Sequence, residues 1–397
     1  MSNLKNSLFL SLFMGKNYRR ICFINPGINI KRPISFITHK LKKKEFIVSI
    51  FTPRKKNEIL KEITRFYDDF DGINLITYPV WTKSSGFSWP IPINLEYFKK
   101  CWKILKNNEI FHVWVPFYPN TFILCMLKLL FFKKKRLILT MDTIPAYSFK
   151  FSSVLDILFK IFFKTLGKLV FLASNYISIY GTSMIKYAHK AGVPKRKIRV
   201  TPTGIDLITK PSDKDIKKIY KINEDEKIIL FVGLLNNRKG IDLILKTANL
   251  LKSQKVKFIL VGNGPERKNL IQMSLKYGLN QKILSVGNRL DVHNFYRCAD
   301  IFFLPSRGEG LAGVLMEAMI FQVPIITSDI AGTRDLVKHL ENGLLCETEN
   351  YICYARSIKK LLKDENLRNK FLKNSLEKIK SDFLWEKNMK NFDQLYK

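Results

Sequence analysis

Short apolar runs alternate with helical patterns along the whole chain. In the first half the runs are RRICFIN (19–25), EFIVSIF (45–51), INLITYPV (73–80), IFHVWVP (110–116), RLILTMD (136–142) and YISIYGT (176–182). In the second half they are KIILFVG (227–233), KFILVGNG (257–264), KILSVG (282–287), ADIFFLPS (299–306) and VPIITSD (323–329). Most are apolar throughout rather than alternating, which points to parallel strands buried on both faces. Strand, helix and strand at a spacing of about 25–35 residues reads as βαβ units. Two such sets predict an α/β chain of two doubly wound, Rossmann-like domains, with ligands at the C-terminal ends of the strands. The join falls in the polar segment TPTGIDLITKPSDKD (201–215). The predicted division is 1–205, 206–380 and a C-terminal helix over 381–397.

A chain of 397 residues has room for two cores, and 46% hydrophobic with 25% charged residues is a globular composition. The formal charge of +35 is extreme and uneven, since residues 1–205 hold 35 Lys/Arg against 10 Asp/Glu. A basic first half calls for an anionic partner: a phospholipid surface, a phosphate-bearing acceptor or nucleic acid. A Lys-rich proteome would supply part of the same excess. The six cysteines, Cys22, Cys101, Cys125, Cys298, Cys346 and Cys353, show no metal-binding spacing. Their mostly apolar surroundings suit reduced core thiols and a cytoplasmic location. The N-terminal LFLSLFM is too short to span a bilayer and lacks a small-residue cleavage site. The tract 113–132 contains Pro116, Pro119 and Lys128, and reads as strand, loop and core helix.

The segment PSRGEGLAGVLMEAM (305–319) carries the densest candidate chemistry. Glu309 and Glu317 stand eight positions apart around Gly310, Ala312 and Gly313. Small residues at a helix start let backbone N–H groups approach a ligand, and the dipole there favours an anion. Glu309 is expected in the loop before the helix and Glu317 about two turns inside it. Such a mouth suits a diphosphate between two polyhydroxy ends, as in a nucleotide sugar. A glutamate pair at a helix start is also common on solvated surfaces, so its surroundings decide.

Those surroundings resemble the retaining glycosyltransferases of the GT-B fold, specifically family 4. The likeness covers roughly residues 19–390. It rests on IRVTPTGID (198–206), FVGLLNNRKG (231–240), FILVGNGPE (258–266), the E-x7-E element within 303–337, and FLWEKN (383–388). The resemblance implies two domains with a cleft between them and a C-terminal helix crossing back to the first. It also implies sugar transfer from a nucleotide donor, UDP- or GDP-linked, with retained anomeric configuration and neither metal nor cofactor. Carried onto this sequence, Glu309 contacts the donor sugar, Glu317 the ribose, and Lys239 the diphosphate. Gly233, Gly262, Gly308, Gly310, Ala312 and Gly313 give the phosphates backbone access.

Three positions depart from the family pattern. Leu234 stands where the family usually carries an arginine, and Arg238 could substitute although neighbouring side chains usually diverge. Met141 stands where a histidine is common, leaving Asp142 for the polar catalytic role or for a turn of its own. Of the usual glycine pair after the first strand, Gly27 remains. His112 resembles a strand-end histidine and is assigned to the acceptor side or to structure. The D-x-D at 69–71 reads as surface.

The segment SVLDILFKIFFKTLGKLVF (153–171) places Asp156, Lys160, Lys164 and Lys168 at four-residue intervals. One helix is expected there, either an ordinary domain helix with a solvated charged face or a basic amphipathic helix able to lie on an anionic bilayer. A lipid-linked or saccharide acceptor, in glycolipid, glycan or surface-polysaccharide synthesis, follows from these features together. A nucleic-acid partner finds no motif to support it. Leu234 and Met141 also leave open a non-catalytic nucleotide-sugar binder.

Overall fold

The computed structural model describes residues 18–25, 27, 32–42, 44, 46–55, 72–80, 91–92, 94–207 and 214–397. The N-terminal apolar run and the D-x-D at 69–71 lie outside these. All six strands expected in the first half form: β1 (Arg19–Ile24), β2 (Phe46–Lys55), β3 (Asn74–Val80), β4 (Ile110–Trp114), β5 (Arg136–Thr140) and β6 (Tyr176–Ile179). A seventh, β7 (Ile198–Val200), completes a parallel sheet of order β3-β2-β1-β4-β5-β6-β7. The second sheet holds β8 (Lys227–Val232), β9 (Val256–Val261), β10 (Ile283–Gly287), β11 (Ile301–Leu304), β12 (Ile325–Ser328) and β13 (Leu344–Cys346). Its order is β10-β9-β8-β11-β12-β13, again all parallel. The short edge strands β7 and β13 were not expected, because three residues are too few to register as an apolar run.

Side chains of the first sheet alternate between two cores. Cys22, Ile24, Phe111, Val113, Leu137 and Leu139 face one side, where helices Leu95–Asn107, Pro119–Phe131, Ser153–Lys164 and Leu166–Ala173 pack. Ile21, Phe23, Ile110 and Ile138 face the other, against helix Arg32–Lys42. That second core is finished by the last element of the chain, helix Trp385–Tyr396. Its Trp385, Met389, Phe392, Leu395 and Tyr396 are buried among the first-sheet residues. The crossover is pinned where it starts: Ile205 N–H donates to Phe383 O (2.8 Å), and Asn388 Nδ2 donates to Thr203 O (3.0 Å). The expected return of the C-terminal helix is thus observed.

His112 lies at the centre of this packing and has no exposed surface. Its Nδ1 meets the Tyr396 hydroxyl and its Nε2 the Thr140 hydroxyl, both at 2.7 Å. Burial pushes its pKa well below the ordinary value, so the ring is neutral, with one nitrogen donating and the other accepting. Both nitrogens are occupied inside the core, so His112 ties β4 and β5 to the C-terminal helix and does not face an acceptor.

Two further expectations are corrected. The single helix over 153–171 is two, because Thr165 leaves helical geometry (φ −116°, ψ −96°). Asp156 is buried and accepts from Phe151 N–H, while Lys160, Lys164 and Lys168 are exposed. Cys346 and Cys353 are not free thiols. The Asn350-capped helix that follows β13 brings their Cα atoms to 5.9 Å, and they form a disulfide. Cys101 and Cys125 are buried thiols, each with a pKa pushed up to about 12 chiefly by desolvation. Among the described residues no helix is long and apolar enough to cross a membrane.

Replacing Phe392 by Ala should therefore destabilise the first domain by about 3–5 kcal/mol, as for other buried aromatic truncations. Denaturant titration followed by hydrogen exchange of both domains would check this. A loss spread equally over both sheets, or one below about 1 kcal/mol, would contradict the packing role given to the last helix.

Candidate functional site

The candidate residues gather where β8 and β11 end side by side. The chain leaves β8 toward β9 on one side and leaves β11 toward β12 on the other, so a crevice opens between them. After β8, the Asn236 side chain accepts from Lys239 N–H (3.1 Å) and caps a 3-10 turn, Asn237–Lys239. Gly240 then turns the chain with φ 71°, and a Cβ there would stand 2.1 Å from Pro305 O. Glycine is required on both counts. Helix Ile241–Leu250 follows.

The 3-10 turn aims two cations at one carboxylate. Lys239 Nζ lies 2.6 Å from Glu309 Oε1, and Arg238 lies 3.7 Å from Glu309 Oε2 while donating to Gly308 O (2.6 Å). Glu309 is 7% exposed and Lys239 9%. Burial alone would raise the Glu309 carboxyl, but the charges of Lys239 and Arg238 outweigh it and hold its pKa below the usual range. The Lys239 ammonium is also lowered, chiefly by burial and further by Arg238, against the pull of Glu309. A buried lysine and a partly exposed arginine sharing one carboxylate leave a surplus positive charge, and that charge fits an anion.

Arg307, which the sequence reading passed over, fixes this geometry. Its guanidinium binds Asp242 through both terminal nitrogens (2.8 Å each), Glu349 through Nε (2.5 Å) and Asn237 O through Nη1 (2.6 Å). Its own N–H donates to Arg238 O (2.7 Å). The 3-10 turn and the glycine loop are thereby held together. The signal was available: Arg307 lies between the end of β11 and Gly308, where a loop must be tied to its neighbour.

Helix Gly313–Ile320 starts at Gly313 with Ala312 as its N-cap residue. Glu317 is therefore a little over one turn in, not two. Its carboxylate accepts from the Tyr296 hydroxyl at 2.9 Å. Gly233 and Gly262 follow β8 and β9, and a Cβ on Gly233 would lie 3.7 Å from Lys239 Cε. Both glycines therefore stand at the same strand ends as the cations. Gly27 follows β1 in the other sheet, where its carbonyl accepts from Asn25 Nδ2 (2.5 Å).

The first domain reaches this site through the loop after β5. A Cβ on Gly310 would fall 2.2 Å from Asp142 O, and one on Gly308 would strike the Phe149 side chain at 2.5 Å. Asp142 is thus brought beside the glycine loop. Its Oδ1 also accepts from Thr143 N–H (2.9 Å), the local turn anticipated as the alternative. Near it, burial and then the Asp142 charge push the Tyr118 hydroxyl up to about 12. Val115 and Ala146, in the segments following β4 and β5, hold left-handed backbone (φ 61° and 66°). Such strain in non-glycine residues concentrates at ligand clefts.

Residues 212–378 match the family model described as "Glycosyl transferases group 1". An uncharacterised glycosyltransferase of Methanocaldococcus jannaschii is 26% identical over 378 residues, covering 91% of this chain and 92% of that protein. A Campylobacter jejuni α-1,4-N-acetyl-D-galactosaminyltransferase, named for a diphospho-undecaprenol-linked substrate, is 32% identical over 161 residues. That match covers 40% of this chain and 44% of the other. The chain spans about three fifths of the length of other curated relatives it matches. Among solved structures, Anabaena HepE in complex with UDP-glucose superposes with a TM-score of 0.76 at 17% identity, covering 95% of this chain and 99% of that one. Over residues 212–378 the chain is thus similar to the group 1 glycosyl transferases, and as a whole it has the GT-B fold.

Substituting Lys239 by Met leaves Glu309 buried without its nearest partner, which should cost about 3–5 kcal/mol at neutral pH. In the native chain the lowered Glu309 pKa contributes stability above the ordinary carboxylate range, lost as pH falls through the folded value. In the variant, protonation of Glu309 relieves the unpaired charge, so the deficit should shrink toward pH 5. Denaturation midpoints at pH 7 and 5 report this, and a deficit that grew on acidification would contradict it.

Proposed function

We propose that the chain is a retaining, metal-independent glycosyltransferase of family 4, moving a sugar from a UDP- or GDP-linked donor to a lipid-linked or saccharide acceptor. The second domain takes the nucleotide sugar and the first the acceptor, in glycolipid, glycan or surface-polysaccharide synthesis on the cytoplasmic side of an anionic membrane. The observation that carries this reading is the surplus charge of Arg238 and Lys239 on Glu309.

In the proposed reaction the donor C1–O bond breaks and its electron pair goes to the terminal oxygen of the departing nucleoside diphosphate. Lys239 and Arg238 stabilise the negative charge that develops there. Backbone N–H groups around Gly233, Gly262, Gly308, Gly310, Ala312 and Gly313 approach the phosphates, and Glu317 takes the ribose. The acceptor oxygen bonds to C1 on the face the diphosphate leaves, and its proton passes to the phosphate oxygen. Asp142 orients the incoming hydroxyl, and Glu309 holds a donor-sugar hydroxyl while keeping Lys239 in place. Gly27 borders the acceptor side. Arg238 supplies the second cation that Leu234 lacks, which removes the main motive for a non-catalytic binder.

Thermal-shift titration with UDP- and GDP-sugars is expected to identify the donor base. Glu309→Ala should then lose about 100–1,000-fold in transfer or donor hydrolysis while still binding the nucleoside diphosphate. Chelator should leave the wild-type rate unchanged, and the product should keep the donor's anomeric configuration by NMR. Undiminished turnover in Glu309→Ala would refute the site assignment.

A further inference from the structure

The two helices following the Asp142 loop are apolar on both sides. Phe159 and Phe163 of helix Ser153–Lys164 turn into the first-domain core, together with Val170 and Phe171 of helix Leu166–Ala173. On the opposite face Val154, Ile157, Leu158 and Ile161 are 53–69% exposed. At 100° per residue they form one stripe along the helix. Leu172 of the next helix is 63% exposed. A helix at a protein–water boundary normally carries its charges there. A helix apolar all round belongs in a core or against lipid.

The charges around the stripe are of one sign. Lys160, Lys164 and Lys168 are exposed, while Asp156, the one acidic residue in 153–173, is buried. In the same helical layer, Trp102 is 45% exposed and packs its ring edge-on to Phe131 at 5.3 Å. Lys133 and Lys134 are exposed just beyond it. Apolar side chains bordered by lysines match an anionic lipid surface in both polarity and charge. A second copy of the chain would set lysines against lysines on this face.

We propose that the exposed stripe of helix Ser153–Lys164, with Leu172 beside it, inserts into the headgroup region of an anionic monolayer, the lysines resting on lipid phosphates. The first domain is thus held by burial of apolar side chains, and charge adds preference for anionic lipid. The inference rests on the proposed function in that a lipid-linked acceptor would reside in that membrane. The surface itself stands independently of the catalytic site.

Flotation of the full chain with vesicles of neutral phosphatidylcholine, and of phosphatidylcholine containing phosphatidylglycerol, tests it. The wild type should float with the anionic vesicles, and added salt should weaken that binding without abolishing it. The Ile157→Ser, Leu158→Ser, Ile161→Ser triple variant should bind roughly 1,000-fold more weakly at low salt, since each buried side chain is worth about ten-fold. Circular dichroism should show it still folded. Lys160→Gln, Lys164→Gln, Lys168→Gln should lose anionic preference, by about five-fold per lysine. Equal flotation of the serine variant and the wild type would overturn the proposal. So would a wild-type dimer that the serine variant splits without any vesicle binding. Donor hydrolysis measured alongside separates the two readings: a chain that floats but never turns over its donor supports the surface and counts against the activity alone.

Discussion

The site depends on a carboxylate, Glu309, taken out of water between two cations. Removing such groups from solvent costs several kcal/mol per ion, so the pair is poor evidence of a device for stability. It is built from two segments 70 residues apart in sequence, the turn after β8 and the loop after β11. They meet because β8 and β11 are neighbours at the point where the sheet reverses its direction of growth. Arg307 locks the two segments through Asp242, Glu349 and the Asn237 carbonyl. The ion triad is therefore a consequence of sheet order, fixed further by one guanidinium.

The same loop limits how the domains can meet. Gly308 and Gly310 lie so close to Phe149 and Asp142 that a single added carbon would collide. A second contact holds the domains beside it: Asp335 accepts from the Thr182 hydroxyl (3.0 Å) and the Ser183 N–H (3.2 Å). The C-terminal helix makes a third link, since its aromatic face completes the core of the first domain after the chain has built the second. The ends of strands from both sheets thus close on one crevice.

The departure at Leu234 illustrates why a missing motif residue need not mean a missing charge. Leu234 is 53% exposed, while Arg238 lies 3.7 Å from Glu309. Adjacent side chains on an extended segment diverge, but a 3-10 turn wrapped by the Gly308 carbonyl can bring both to one carboxylate. His112 makes the converse point. A histidine at a strand end looks chemical in sequence, yet Tyr396 and Thr140 occupy both its nitrogens.

The periodicity of the chain by itself determined the two parallel sheets, because fully buried parallel strands must be apolar throughout. The glycines and Glu309 at the start of a helix after an apolar strand were legible in the sequence too, whereas Lys239 stood out only through the family resemblance. The sequence could not show that Asp156 turns inward, that 153–171 breaks at Thr165, or that Cys346 and Cys353 meet, because each depends on how one element packs against another. Nor could it show Arg307 tying the turn to the loop, or the apolar stripe left facing outward. Local sequence sets which residues can form an element. Which face that element presents, and which distant charge lies within 3 Å, is set only when the sheets close and burial decides the orientation of each side chain.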